Sequence, residues 1–129
     1  MEQLKETYNL RNDSQHIKAV QAASLHPDFR VGLKMENGLL YGSAQWFEAI
    51  ENGMIPTHVI TGKISKVYMT GHNDFPMFDI SDGNNTTEWE RRGIDDQYVV
   101  GKEVELSYVL QKFKRGYTRE CVISIKISE

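Results

Sequence analysis

The chain predicts a mainly β fold with short helices, of the α+β class, in which a five-stranded barrel follows an N-terminal arm. Three observations predict it. Residues 57–129 alternate apolar and polar side chains in five short runs divided by turn residues, the period of half-buried strands. The alternation changes phase once, inside the first run: Ile60, Gly62 and Ile64 share one parity, and Val67 and Met69 the other. A straight strand keeps one parity, so a bulge or bend falls between Ile64 and Val67, as a barrel strand serving two sheets requires. Residues 1–56, in contrast, carry capped helical stretches and one hairpin signal.

Residues 1–13 are polar and uncapped, and predict a mobile start. Ser14 suits the N-cap of a helix from Gln15 to Leu25, stopped by Pro27. Phe29, Val31, Leu33 and Met35 alternate with Arg30, Gly32 and Lys34, and Asn37-Gly38 then predicts a hairpin returning through Leu39-Leu40-Tyr41. Ser43 suits the cap of a second helix, Ala44 to Glu51, with Trp46, Phe47 and Ile50 as its apolar side. Residues 1–56 are therefore expected to form a helix–hairpin–helix arm packed on the barrel, and residues 57–129 the barrel itself. Strands are expected at 58–69, 75–81, 86–91, 102–111 and 119–127. Ile94, Tyr98 and Val99 suit a helical stripe at the barrel's end. The expected core is Ile60, Ile64, Val67, Phe78, Ile80, Val104, Leu106, Leu110, Ile123 and Ile125.

Over residues 57–129 this rhythm, with its bend at Ile64 to Val67, resembles the OB fold as an architecture. An SH3-like barrel and an open meander share the rhythm. The OB resemblance implies a ligand groove walled by the hairpin between the last two strands, and a ligand that is single-stranded nucleic acid or a peptide.

At 129 residues the chain makes one domain, or one with a substantial arm. It has no apolar run of membrane-spanning length, and its charged N-terminus lacks the apolar stretch of a signal peptide. The single cysteine, Cys121, falls on the apolar parity of a strand and reads as a small buried hydrophobe. These features point to a reducing, cytoplasmic setting. The net charge of −3 counts against a non-specific duplex binder. The two halves are alike: residues 1–60 hold 5 basic and 7 acidic side chains, and residues 61–129 hold 10 and 11.

Four constellations bear on chemistry. Lys112, Phe113, Lys114, Arg115, Tyr117 and Arg119 mix cations that neutralise phosphates with rings that stack on bases. The same hairpin also reads as a solvated loop whose lysines prevent edge pairing. Trp89, Arg91 and Arg92, with Tyr68, Phe75 and Met77, suit a stacking platform with phosphate contacts at its edge, or an apolar seat for the arm. Gly71-His72-Asn73-Asp74 with Asp79, Asp82 and His58 matches no metal spacing and reads as turn chemistry. Glu88, Glu90, Asp95 and Asp96 read as surface acids balancing the neighbouring arginines. No catalytic signature, metal site or cofactor motif is expected. The leading reading is a module that binds single-stranded nucleic acid, such as single-stranded DNA. The alternative is a protein-interaction or oligomerisation module using the same surface.

Overall fold

The computed structural model describes residues 3–70 and 74–129, so Gly71, His72 and Asn73 lie outside the described residues. All five expected strands are present: β2 (His58–Met69), β3 (Pro76–Ser81), β4 (Thr86–Glu90), β5 (Glu103–Lys112) and β6 (Thr118–Ser128). Among the described residues the α-helices are α1 (Ser14–Leu25) and α2 (Ala44–Glu51). Asp13, one residue before the expected cap, takes the N-cap of α1 by accepting from His16 N. Ser43 caps α2 as expected, accepting from Trp46 N at 3.2 Å.

A further strand, β1 (Leu4–Asn9), stands where a mobile start was expected. It pairs antiparallel with β6, from Leu4 opposite Ser128 to Asn9 opposite Ser124. Among the described residues the sheet has six strands in the order β1-β6-β5-β2-β3-β4. The fold is therefore mainly β and α+β, but the sheet is open and not a closed five-stranded barrel. Closure would bring β4 to β6, and the edge of β6 from Ser124 to Ser128 is already paired with β1. The backbone just beyond β4 passes against β1 instead: a Cβ on Gly93, at φ +78°, would lie 2.1 Å from the Thr7 carbonyl oxygen.

The chain forms two compact units, with β5 and β6 each supplying residues to both. The first comprises residues 1–9, 59–107 and 124–129. Its core is Tyr8, Ile64, Phe78, Ile80, Trp89, Tyr98, Val104, Leu106, Ile125 and Ile127. Ile60 and Val67 are only half-buried. The stretch after β4 makes a short 3-10 turn, Asp95–Gln97, that buries Tyr98 and leaves Ile94 and Val99 exposed, so the expected helical stripe does not form.

The second unit comprises residues 10–58 and 108–123. Leu10, Leu33, Tyr41, Trp46, Phe47, Ala49, Val109 and Cys121 fill its core. Trp46 Nε1 donates to Gln111 Oε1 at 2.9 Å, and Gln111 Nε2 donates to the Lys34 carbonyl at 3.0 Å, so the buried glutamine is satisfied at both ends. The Asn37-Gly38 hairpin does not form. Those residues make a 3-10 turn with Asn37 at φ 55°, and Leu33 bridges to Phe113. Gly32 permits that approach, because a Cβ there would sit 2.4 Å from the Ala23 carbonyl. Leu110, expected in the core, is 45% exposed, and Ile123 is half-buried.

Candidate functional site

In the first unit, β2, β3 and β4 set out a grid of outward side chains. Ser65 is the extra residue of a bulge in β2, lying between the pairs Ile64–Ile80 and Lys66–Asp79. The bulge explains the phase change in the sequence. It keeps Lys63, Lys66 and Tyr68 on one face, opposite Ser81, Asp79 and Met77 of β3. Those three stand in turn opposite Thr86, Glu88 and Glu90 of β4. The other parity, with Ile64, Phe78, Ile80 and Trp89, is buried.

Three carboxylates thus share the outer face, and only one has a cationic partner. Among the described residues, the ion pairs of this unit are Lys5–Glu129, Arg91–Asp95 and Arg92–Glu90. Asp79 and Glu88 converge on the Tyr68 hydroxyl, at 2.9 Å and 2.5 Å. A phenol has one hydrogen, so it satisfies one of the two as donor. Desolvation and both carboxylates hold the Tyr68 hydroxyl well above the usual tyrosine range, so it stays protonated. The Lys66 ammonium lies over the Tyr68 ring, 4.6 Å from its centroid.

At one end of the grid Met69 and Phe75 are each about half exposed. At the other, Lys63 and Ser81 line a cavity of about 910 Å³ that also takes in Leu4, Gly62, Asp82 and Glu103. Asp82 Oδ1 accepts from Asn84 N and Asn85 N, at 2.8 and 2.7 Å, which lowers its pKa and fixes the β3–β4 turn. Among the described residues no group of three or more His, Cys, Asp and Glu side chains could hold a metal ion.

The expected site residues are distributed as follows. Trp89 is buried and its Nε1 donates to Thr87 Oγ1 at 2.7 Å. Arg91 is largely buried; it reaches Asp95 at 3.0 Å and the Tyr68 carbonyl at 3.2 Å, and its Nε is buried without a partner. Arg92 pairs with Glu90 at 3.2 Å and lies over Tyr8. Tyr98 brackets Arg92 by accepting from its N–H at 3.0 Å and donating to its carbonyl at 2.5 Å, while burial pushes the phenol up to about 12. Tyr68 and Phe75 are on or beside the grid.

In the second unit, residues 112–119 form a tight β5–β6 turn closed by Phe113 N donating to the Tyr117 carbonyl at 2.7 Å. Lys114 Nζ donates to the Ala23 and His26 carbonyls at 3.2 and 2.6 Å, capping the C-terminal end of α1. Arg119 lies over the Phe113 ring at 5.9 Å. Lys112 and Arg115 are exposed, as is Tyr117 at 67%. His58 stacks on Tyr108, with ring centroids 5.2 Å apart. Sequence reasoning did not gather Tyr68, Asp79 and Glu88 into one site. Cross-strand parity carried that signal, once β2 is read as bulged at Ser65.

A half-exposed sheet face with a phenol, two carboxylates lacking cations and apolar residues at its rim is the kind of surface that proteins cover. Residues 3–127 match the model of the family described as Immunity protein RhsI2, and the chain belongs to that family. No curated protein matches the chain. The family match corrects the leading reading from sequence: this is not a single-stranded nucleic-acid or single-stranded DNA binder. The match favours the alternative, a protein partner. Among the described residues no helix is long and apolar enough to cross a membrane.

Proposed function

We propose that this chain is an immunity protein that neutralises a toxin protein by binding it directly, with no chemistry of its own. The family match over residues 3–127 carries this reading. The half-exposed sheet face of the first unit is compatible with it, since it offers aromatic, apolar and charged groups together. A cytoplasmic setting belongs to the same reading, supported by the chain's single cysteine, Cys121, which is buried. The strand order β6-β5-β2-β3-β4 supports a partly open OB-type arrangement in which β1 occupies the β6 edge.

The test is co-expression. Cells producing the cognate toxin should survive only when this chain is produced with it, and the two should copurify as a complex of fixed stoichiometry. Survival with no complex, or a complex with no survival, would overturn the reading.

A further inference from the structure

Divided by compact unit and not by sequence half, the charge of this chain is strongly uneven. The first unit carries 12 acidic and 7 basic side chains, a net charge of −5. The second carries 6 acidic and 8 basic, a net charge of +2. A partner approaching the first unit therefore meets a negative field, which steers cationic surfaces and raises their association rate.

The outer grid carries Lys63 and Lys66 with Asp79, Glu88 and Glu90, and of its three carboxylates only Glu90 has an ion-pair partner among the described residues. Asp79 and Glu88 face each other across the β3–β4 ladder and share one phenolic hydrogen between them. Two carboxylates at adjacent register positions match the fork of a guanidinium, and either would accept from an ammonium. Met77 stands directly beside Tyr68, and the half-exposed Phe75, two residues earlier, extends the apolar area at the rim. Apolar side chains of this kind supply contact area, and the carboxylates supply register. The cavity beginning at Lys63 and Ser81 adds a concave feature at the other end of the grid from Phe75.

We propose that the toxin docks through a basic surface on the outer face of β2, β3 and β4, placing a lysine or arginine between Asp79 and Glu88 against Tyr68. This rests on the toxin-binding reading above and specifies where and with what chemistry it happens. The field of the first unit accelerates the encounter, and the Asp79–Glu88 pair fixes the docked orientation.

The experiment uses the full chain and its cognate toxin, purified with the toxin's active site disabled. Binding is measured by calorimetry at several salt concentrations for the wild type, the double variant Asp79→Asn with Glu88→Gln, and the double variant Lys112→Ala with Arg115→Ala. Wild-type binding should weaken as salt rises, because the charges lie near the surface. The Asp79/Glu88 variant should bind about tenfold more weakly or worse, and show less salt dependence. The Lys112/Arg115 variant should bind within about twofold of wild type, as the loss of rim charge on an uninvolved surface predicts. Hydrogen exchange of the wild-type complex should show protection in residues 76–90, a readout that stands even if the double variant misfolds. Full-strength binding by a folded Asp79/Glu88 variant, or protection confined to residues 108–123, would overturn the docking site while leaving toxin binding intact. Absence of any wild-type binding would overturn the toxin-binding reading and the site with it.

Discussion

The two units of this protein solve the same packing problem with different chemistry. The first buries mostly β-sheet apolar residues, Ile64, Phe78, Ile80, Leu106 and Ile125 among them, is anionic overall, and turns outward a grid that sets Lys63 and Lys66 among Asp79, Glu88 and Glu90. The second buries an aromatic group, with Tyr41 against Trp46 at 4.7 Å between centroids and Trp46 against Phe47 at 5.1 Å, and is cationic overall. Its basic residues are in part structural: Lys114 caps α1, Arg11 pairs with Glu51 and lies over Phe47. Cations clustered in sequence thus include groups that hold the fold, and acids dispersed in sequence stand together on one sheet face. Linear halves hid this, because each mixes segments of both units.

The contrast can be broken or sharpened by mutation. The largest effect is expected at Phe78, which is fully buried in the first unit. Phe78→Ala should cost about 3–5 kcal/mol in urea denaturation, from lost transfer energy and a cavity. A cost under about 1 kcal/mol would show that the buried parity of β3 has been assigned backwards.

In the second unit the sharper probe is polar. Trp46→Phe keeps most of the ring volume but removes the donor to Gln111, leaving a buried amide oxygen without its partner. A loss of about 1–3 kcal/mol is expected, and Gln111→Leu in the same background should recover part of it. Failure of the second change to recover any stability would mean the hydrogen bond is not what holds Trp46.

Lys114→Met tests the structural role of a cation that sequence reasoning assigned to a ligand. It should lower stability by about 0.5–1.5 kcal/mol through the exposed end of α1, and leave toxin affinity unchanged. A loss of affinity with no loss of stability would return Lys114 to the binding surface.

The smallest effect is confined to alkaline pH. Tyr98 ionises near 10 when unfolded and near 12 when folded, because burial disfavours the phenolate. Its neutral form is therefore stabilising below pH 10, and that contribution disappears as pH rises from 10 to 12. Melting curves for wild type and Tyr98→Phe should differ in slope across that window and run parallel below it. Parallel curves throughout would mean Tyr98 is solvated in the fold.

Much of the architecture was legible because period-two alternation depends only on local sequence. The strands β2 to β6 and the bulge near Ser65 followed from parity alone. The strand β1 did not. Its partner lies at the other end of the chain, and its own register shifts between Glu6 and Tyr8, which disrupts the alternation a reader would look for. The end of β5 misled for a related reason. Val104 and Leu106 are buried on one parity, and Val109 and Gln111 on the other, so the strand changes its buried side where it leaves the first unit for the second. That is why Leu110 is exposed where the run Val104–Leu106–Tyr108–Leu110 predicts burial. The Asn37-Gly38 signal was real as a turn but not as a hairpin, since Leu33 bridges to Phe113. The grid was legible in pieces, as acids and as a phenol. Only the ladder register shows that Lys66, Asp79 and Glu88 stand in one row.

The bulge at Ser65 also sets a rule about chain length that is separate from any rule about side-chain type. Deleting that one residue would leave every position from Lys66 to Met69 on its present side, because Ile64–Ile80 and Lys66–Asp79 would become consecutive pairs of a regular ladder. What the deletion would take away is the bend and the added local twist that a bulge gives its strand. Length at Ser65 therefore sets the curvature of β2, while the order of Lys66, Val67 and Tyr68 sets which side each of them faces.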